Sequence, residues 1–342
     1  MLNIGIIGMG KMGMIHANLV SENPDLKLIA ACEKTEERLE SIKDRYKINV
    51  YNNVEKFLNI KDLDYVVIAT TNETHQELTV KALEKGKNVI VEKPMSYNYL
   101  STLKMIEAAE KYNRKLFVHH NRRWDRDFIK VKKVIESKLL GDILLIQSKV
   151  MLCDYDWPAW GIEGMANPWR IKKKYGGGIL LDWGSHLIDQ ILLLVGRDPI
   201  GVYGVMQKGV WSTEVEDYFF SIIKFDSKLV CQVEASNNSQ ISLPRWFIVG
   251  TKGTLKVNGK STPVWDEVEI SYQQDNGNRE NQNIKLIGIS EITKGFYEDF
   301  LLYLKGKIRN FVSMHDASKV VRVLDLIKES NRSNKFIAFK ND

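Results

Sequence analysis

Cysteine is scarce in this sequence. Only Cys32, Cys153 and Cys231 occur among its 342 residues, and they lie far apart. None belongs to a C-x-x-C pair, so the sequence indicates neither a zinc ribbon nor a disulfide framework. An odd number of isolated cysteines is typical of a protein in a reducing compartment, and we therefore expect a cytoplasmic location.

Long hydrophobic runs and blocks of like charge are missing as well. No apolar stretch approaches the roughly 18 residues that a membrane span needs. No basic leader with a cleavage site precedes the apolar residues 4–7. The formal net charge of +6 is modest, and the basic residues are interleaved with acidic ones. The sequence therefore predicts neither a membrane anchor nor a nucleic-acid partner.

What is present is the composition of an ordinary globular protein, long enough for two domains. Up to about residue 120, short apolar runs alternate with amphipathic stretches, as they do in βαβ units. Residues 65–69, YVVIA, form a nearly unbroken apolar run of the type that is buried on both faces of a parallel sheet. Residues 1–121 are therefore predicted to form a Rossmann domain with a doubly wound parallel sheet.

The pattern changes after Asn121. From residue 201 to about 285, strand-like runs recur with turn signals between them, which indicates an antiparallel sheet. Two amphipathic segments, 291–304 and 317–330, are predicted to close the chain as helices. Residues 122–342 are therefore predicted to form an α+β domain with an open, mostly antiparallel sheet, and the fold class is α/β.

An open sheet of this kind also predicts self-association. One of its faces needs no covering helix, and exposed apolar faces tend to pair. The strand-like runs 219–225 and 246–249 are the candidates for that face. We therefore expect a homodimer or a homotetramer.

The first predicted turn carries the G-x-G-x-x-G spacing. Gly8 permits the tight turn, Gly10 lets the backbone approach a pyrophosphate, and Gly13 lets helix and strand pack closely. The helix that follows offers free N–H groups to an anion. Because the turn follows a strand and begins a helix, we favour dinucleotide binding over a bland glycine turn. The residues expected to contact the cofactor here are Gly8, Gly10, Lys11, Met12 and Gly13.

Glu33 stands at the end of the second predicted strand. An acid at this place can accept hydrogen bonds from the ribose hydroxyls of the cofactor and would repel a 2′-phosphate. This favours NAD, although the neighbouring Lys34 partly offsets the repulsion and keeps NADP possible. The alternative interpretation is that Glu33 is a solvated loop acid.

Several motifs resemble the glucose–fructose oxidoreductase/inositol dehydrogenase (Gfo/Idh/MocA) family. The glycine turn is followed by A-T-T-N-E-T-H at 69–75 and by E-K-P at 92–94, where the family has its catalytic lysine. N-R-R-W at 121–124, G-G-G at 176–178 and D-W-G-S-H at 182–186 agree as well. The resemblance covers nearly the whole chain in order, and the combination is specific to the family but not to a substrate.

The resemblance implies an NAD(P)-dependent oxidoreductase with its active site in the cleft between the two domains. Such an enzyme moves hydride at a hydroxyl-bearing carbon of a sugar, cyclitol or related polyol. In this family the large face of the second sheet commonly makes the oligomer interface. The further residues expected to contact the cofactor are Thr70, Asn72, His75, Glu92 and Lys93. A capping or packing role for His75 is an equal alternative.

The predicted catalytic residues are Lys93, His186 and Asp182. Lys93 lies just past the carboxyl end of a central strand, where ligands bind in such sheets, and it can stabilise a developing alkoxide. Asp182 and His186 are four residues apart and share a helical face, and His186 suits acid–base work. A buried core histidine is the main alternative, and the primary proton acceptor stays open between Lys93 and His186. No metal is expected, although Asp189 could complete an Asp-His-Asp face.

The substrate is expected to meet Asn121, Arg123, Trp160, Trp169 and Arg170. Indole faces suit the C–H faces of sugars, or else the tryptophans simply fold a long loop over the cleft. The basic segment 170–174 predicts either a site for a phosphate or carboxylate group, or a solvated basic face.

Two other functions remain open at this point. The first is a non-catalytic sensor with the same fold, which would not need a proton-transfer pair. The second is a glycosidase that uses bound NAD for a transient oxidation.

Overall fold

Two sheets organise the protein in the computed structural model, which describes residues 1–151, 157, 168–225, 228–258, 266–274, 276–286 and 292–340. The strands of the first sheet are β1 (Leu2–Ile7), β2 (Leu26–Cys32), β3 (Asn49–Tyr51), β4 (Tyr65–Ile68), β5 (Asn88–Glu92) and β6 (Leu116–His119). The helices between them are α1 (Lys11–Glu22), α2 (Glu36–Tyr46), α3 (Val54–Leu58), α4 (His75–Glu84) and α5 (Tyr99–Lys111).

The first sheet has the strand order β3-β2-β1-β4-β5-β6, and all its pairings are parallel. Every residue of β4 is buried, as the apolar run 65–69 predicts for a strand covered on both faces. The strand order reverses between β1 and β4, and ligands bind beyond the carboxyl ends of the strands at such a point. The doubly wound parallel sheet is thus confirmed.

Among the described residues, the second sheet has nine strands. They are β7 (Ile143–Met151), β8 (Gly201–Gln207), β9 (Tyr218–Lys224), β10 (Val230–Ser236), β11 (Trp246–Gly250), β12 (Gly253–Asn258), β13 (Glu267–Gln273), β14 (Arg279–Lys285) and β15 (Ile337–Ala338). Their order is β14-β13-β12-β11-β7-β10-β9-β8-β15, and among these pairings β7 with β10 is parallel while the others are antiparallel. The mostly antiparallel sheet is confirmed.

Four further helices accompany this part of the chain: α6 (Arg126–Glu136), α7 (Ser185–Val195), α8 (Ile292–Leu304) and α9 (Met314–Ser333). The segment Lys173–Val195, which contains α7, is long and apolar enough to cross a membrane by composition, but 67% of its most apolar window is buried. Because α7 packs against α9 and the strands β7 and β10, burial in the second core accounts for its apolar sequence.

The last helices connect the two cores. Phe300 of α8 contacts the rings of Tyr65 and Phe117 in the first sheet, with ring centroids 5.2 and 5.6 Å apart. Val321 of α9 belongs to the first core, and Leu324 of the same helix belongs to the second. The boundary at residue 121 stays a prediction, but the structure adds that α8 and part of α9 pack against the core of the Rossmann part.

The strands of the large sheet present two different faces. Phe219 and Trp246 are fully buried in the second core. Phe220, Ile222 and Phe247 alternate with them and lie partly exposed on the opposite face. The strand-like runs that were predicted to form an exposed face thus contribute only every second residue to it.

Candidate active site

The glycine turn leaves room for a ligand beside the start of α1. A Cβ atom on Gly13 would lie 2.0 Å from the carbonyl oxygen of Gly8, so helix and strand pack too closely there for any side chain. A Cβ atom on Gly10 would meet no atom within 4 Å. Packing does not require a glycine at position 10, whereas a pyrophosphate approaching the backbone does. Gly10 precedes α1 without a side-chain cap, so the first N–H groups of the helix suit an anion.

Glu33 ties the glycine turn to the end of β2. Its Oε2 atom accepts a hydrogen bond of 2.8 Å from the Met9 N–H, and its Oε1 atom accepts from the N–H groups of Lys34 and Thr35. The guanidinium of Arg38 lies 3.8 Å from Oε2. The acid is therefore a fixed part of the site and not a solvated loop residue, and a cation stands beside it that the sequence argument did not include.

A cavity of about 920 Å³ runs past the carboxyl ends of β1, β2, β4 and β5 and reaches the second domain. The predicted residues that line it are Gly8, Gly10, Lys11, Met12, Glu33, Thr70, Asn72, Glu92, Lys93, Asn121, Trp169, Arg170, Asp182 and His186. Trp160 lies outside the described residues. The cavity therefore brings the glycine turn and the three predicted catalytic residues to one site.

Lys93 and Asp182 meet across this cavity. The Nζ atom of Lys93 donates hydrogen bonds to Oδ1 of Asp182 at 2.6 Å and to its carbonyl oxygen at 3.1 Å. The other carboxylate oxygen accepts from Trp157 Nε1 at 2.9 Å and lies 3.5 Å from Arg170 Nε. Burial alone would raise the pKa of Asp182, but Lys93 and Arg170 outweigh it and hold that pKa below its usual range.

His186 lies beside this ion pair and is mostly buried. Burial, followed by the charges of Lys93 and Arg122, holds the pKa of His186 well below its ordinary value. In the described part of the chain no hydrogen bond occupies its ring nitrogens, while the ring of Trp183 lies 5.9 Å away. His186 is therefore a neutral imidazole with a lone pair available at neutral pH.

Asp182 and His186 reach the cavity through an irregular helix start. Residues 180–184 form a π-helical turn, and α7 begins directly after it at Ser185. Such turns inside a helix are frequent at functional sites. The prediction that the two side chains share a face agrees with their common place in the cavity, although the local geometry is not purely α-helical.

The turn at 121–124 places Arg122, and not Arg123, in the cavity. Asp189 of α7 holds the guanidinium of Arg123 by two hydrogen bonds of 2.5 and 2.8 Å, so the substrate contact predicted for Arg123 finds no support. Arg122 lies over the ring of Trp183 at 4.3 Å. Sequence spacing could not separate two adjacent arginines, because the direction of each depends on the turn and on α7.

Two of the predicted cofactor contacts, His75 and Gly13, are not among the residues that line the cavity. His75 is fully buried, with its ring nitrogens 2.9 Å from the carbonyl oxygen of Pro94 and 3.2 Å from that of Thr70. It therefore holds the backbone that follows Lys93, which agrees with the packing alternative for this residue. Asn72 lines the cavity and also donates a 2.7 Å hydrogen bond to the Gly176 carbonyl oxygen, linking the two domains.

Several residues of the site are not among those predicted from the sequence. Arg38, Arg122, Trp157 and Trp183 line the cavity without having been named among the predicted site residues. Trp183 lies inside the D-W-G-S-H motif, which was the available signal. Arg38 carries no signal of its own in the sequence, since it is one of several charged residues in the helix α2.

The chain matches two family models in order. The model described as an oxidoreductase family with an NAD-binding Rossmann fold matches residues 2–120. The model of the GFO/IDH/MocA C-terminal domain matches residues 128–256.

Related proteins include enzymes that act on inositols. An uncharacterized oxidoreductase of Schizosaccharomyces pombe is 32% identical over 215 residues, which are 61% of this chain and 56% of that protein. The scyllo-inositol 2-dehydrogenase (NADP(+)) of Bacillus subtilis is 30% identical over 251 residues, or 73% of this chain and 66% of that protein. The myo-inositol 2-dehydrogenase of Thermotoga maritima is 26% identical, with 81% of each chain covered. The match thus spans little more than half the length of the S. pombe relative.

Solved structures agree over nearly the full length. An NAD-binding protein from Listeria innocua has a TM-score of 0.84 and 29% identity, covering 98% of this chain and 96% of its own. A levoglucosan dehydrogenase in complex with NADH and levoglucosan has a TM-score of 0.83 at 24% identity, covering 98% and 99%, and supports the fold alone. With both domain models matched in the order of the two sheets, the chain belongs to the Gfo/Idh/MocA oxidoreductase family, and its first domain is an NAD-binding Rossmann domain.

Proposed function

We propose that this protein is an NAD(P)-dependent dehydrogenase or reductase that acts on a hydroxyl-bearing carbon of a sugar, cyclitol or related polyol. One observation carries the proposal. The Lys93–Asp182 ion pair and the neutral His186 line the same cavity as the glycine turn. A sensor would have no use for a proton acceptor and an alkoxide-stabilising cation placed together at the cofactor site.

Each catalytic residue has a separate role in this proposal. A bound nicotinamide supplies the hydride acceptor in the oxidation direction and the hydride donor in the reverse direction. His186 takes the proton of the substrate hydroxyl, because its imidazole is neutral. Lys93 is paired with a carboxylate, so it serves as a cationic hydrogen-bond donor to the developing alkoxide. Asp182 holds the Lys93 ammonium at that place through its 2.6 Å hydrogen bond.

The substrate class follows from the walls of the cavity and from the relatives. Trp169 and Trp183 offer indole faces, while Asn121 and Arg122 offer polar groups that suit ring hydroxyls. Two relatives are named as inositol 2-dehydrogenases, and inositols are hydroxylated rings. We propose Arg122 in place of Arg123 as the arginine that meets the substrate.

An anionic substrate is the weaker proposal. In the basic segment 170–174, Lys172 Nζ lies 3.0 Å from Glu214, and the same carboxylate accepts from the Lys173 N–H. Arg170 lies within 3.5 Å of Asp182. Glu214 thus offsets the charge of Lys172, while Asp182 offsets that of Arg170 only in part, because it also pairs with Lys93.

We also propose that NAD is preferred over NADP and that the protein works in the cytoplasm. The carboxylate of Glu33 would repel a 2′-phosphate, whereas the guanidinium of Arg38 beside it would attract one. Cys32 and Cys231 are both buried free thiols, which fits a reducing compartment.

The reaction is tested by following the NADH absorbance band with NAD and NADP against polyols, aldoses, cyclitols and their phosphates. We expect reversible formation of reduced cofactor with at least one neutral hydroxylated ring. Release of a leaving group from a glycoside without accumulation of NADH would instead indicate the NAD-dependent glycosidase. Cofactor binding without turnover of any compound would indicate the sensor.

The catalytic roles are tested with alanine variants of Lys93 and His186. Each substitution should lower kcat by about 10²–10⁴-fold, because acid–base assistance is of that size. NADH binding should change little, since neither residue lies in the glycine turn. In the double variant the two losses should not multiply, because the residues act as a unit. If His186→Ala kept the full turnover rate, His186 would not be the proton acceptor.

Cofactor preference is tested with Glu33→Ser and Arg38→Ala. The ratio of kcat/KM with NAD to kcat/KM with NADP should fall by about tenfold in the first variant, because repulsion of the 2′-phosphate is lost. It should rise in Arg38→Ala, because a cation that can attract the phosphate is removed. A wild-type protein that turns over NADP more efficiently would show that Arg38 and Lys34 outweigh Glu33.

Self-association is proposed through the partly exposed face of the large sheet. Phe220 and Ile222 of β9 and Phe247 of β11 lie on that face, with Gln232 of β10 and Gln147 of β7 between Ile222 and Phe247. Light scattering at micromolar concentration should give the mass of a dimer or tetramer, and Ile222→Lys should reduce it. A monomeric wild-type mass would refute the proposal.

A further inference from the structure

A buried carboxylate lies directly behind Lys93. Glu92 ends β5 and is only 6% exposed. Its Oε1 atom lies 3.0 Å from His16 Nε2 and 2.8 Å from His119 Nδ1, and its Oε2 atom accepts from the Lys93 N–H at 3.1 Å. His16 in turn lies 2.8 Å from the hydroxyl of Tyr297. We call Glu92, His16, His119 and Tyr297 the Glu92 cluster.

The hydrogen bonds determine where the protons of His16 lie. An ionised carboxylate can only accept, so the Nε2 atom of His16 must carry the hydrogen that Glu92 receives. The Nδ1 atom then accepts from the hydroxyl of Tyr297. Burial, followed by His119, lowers the pKa of His16. Its imidazole is therefore neutral.

The position of the ring proton of His119 also follows from its hydrogen bonds. Its Nδ1 atom donates to Glu92, while its Nε2 atom is buried and has no hydrogen-bond partner in the described part of the chain. A second proton at Nε2 would place a charged N–H group in the core without an acceptor, which is costly. The hydrogen bonds of His119 therefore call for a single ring proton, at Nδ1.

The Glu92 cluster consequently carries one net negative charge. Burial alone would raise the pKa of Glu92, but the electrostatic interaction with His119, together with the hydrogen bonds from His119 and His16, outweighs burial and holds that pKa well below its usual range. Its three donors are uncharged, so the negative charge is stabilised without being cancelled. Burying a charge costs desolvation free energy, and buried charges are often found at functional sites.

This charge faces the cofactor site. Glu92 lines the cavity together with Lys93 and the glycine turn, at the carboxyl end of a central strand. Oxidised nicotinamide carries a positive charge on its ring that the reduced form lacks. We propose that the buried carboxylate of Glu92 selects between the two oxidation states of the cofactor by stabilising the oxidised form relative to the reduced one.

The inference rests on the proposed function, because that function places the nicotinamide ring beside Lys93. A unit charge in a partly buried setting changes the relative affinity for a charged and an uncharged ring by the order of tenfold. For a two-electron couple, tenfold corresponds to about 30 mV in the potential of the bound cofactor.

The test measures dissociation constants of NAD and NADH for the full-length protein by calorimetric titration. In Glu92→Gln, the dissociation constant of NAD divided by that of NADH should rise about tenfold over the wild-type value. Tyr297→Phe is the matched control. It removes a hydroxyl from the far end of the Glu92 cluster without changing its charge, so its ratio should stay within about twofold of wild type.

A second pair of variants applies if Glu92→Gln does not fold. His119→Leu removes one donor and so raises the pKa of Glu92; as the titration is repeated at decreasing pH, the ratio should rise at a pH at which that of wild type does not yet change. His119→Gln keeps an N–H group for the carboxylate and should restore a ratio near that of wild type.

Four outcomes overturn the inference. An unchanged ratio in Glu92→Gln, or equal ratios in the two His119 variants, would refute it while leaving the proposed function intact. A stoichiometric divalent metal in the purified protein would refute it too, because a cation among His16, Glu92 and His119 would cancel the charge. If the wild-type protein bound neither form of the cofactor, the proposed function would fail together with the inference.

Discussion

The ion pair between Lys93 and Asp182 is the contact on which the rest of the site depends. Lys93 follows a strand of the Rossmann sheet, while Asp182 precedes α7 of the second domain, so the 2.6 Å bond joins the two halves of the cavity. Replacing such a buried pair by apolar groups often costs no stability, so its value here is in positioning. With the pair formed, the ammonium faces the cavity at a defined place, and its charge helps to keep His186 neutral.

The helix α7 also holds the turn at 121–124 in place. The helix is apolar along most of its length, but Asp189 binds Arg123 and Gln190 donates to the carbonyl oxygen of Arg122. These two contacts hold the turn so that Arg122 faces the cavity while Arg123 does not. The polar residues of one core helix therefore serve both the chemistry and the shape of the site.

The cofactor side of the cavity relies on backbone groups and a buried charge instead of an ion pair. At the glycine turn the protein offers backbone N–H groups and an open space at Gly10. Behind Lys93 it keeps the negative charge of Glu92, which neutral imidazoles stabilise without cancelling. Positive potential for the pyrophosphate and negative potential near the ring are thus separated along one cavity.

The sequence by itself determined the periodicities and the motifs. Apolar runs such as 65–69 predicted the parallel sheet, because strands buried on both faces need continuous apolar residues. The glycine spacing, Lys93, Asp182 and His186 were also predicted from sequence, since their chemistry is local or carried by motifs. Only the tertiary structure decided which of Arg122 and Arg123 faces the cavity. It alone also showed that His16, Glu92 and His119 share one buried charge. These side chains come from elements far apart in the chain, and their directions and protonation states depend on packing that no local pattern encodes.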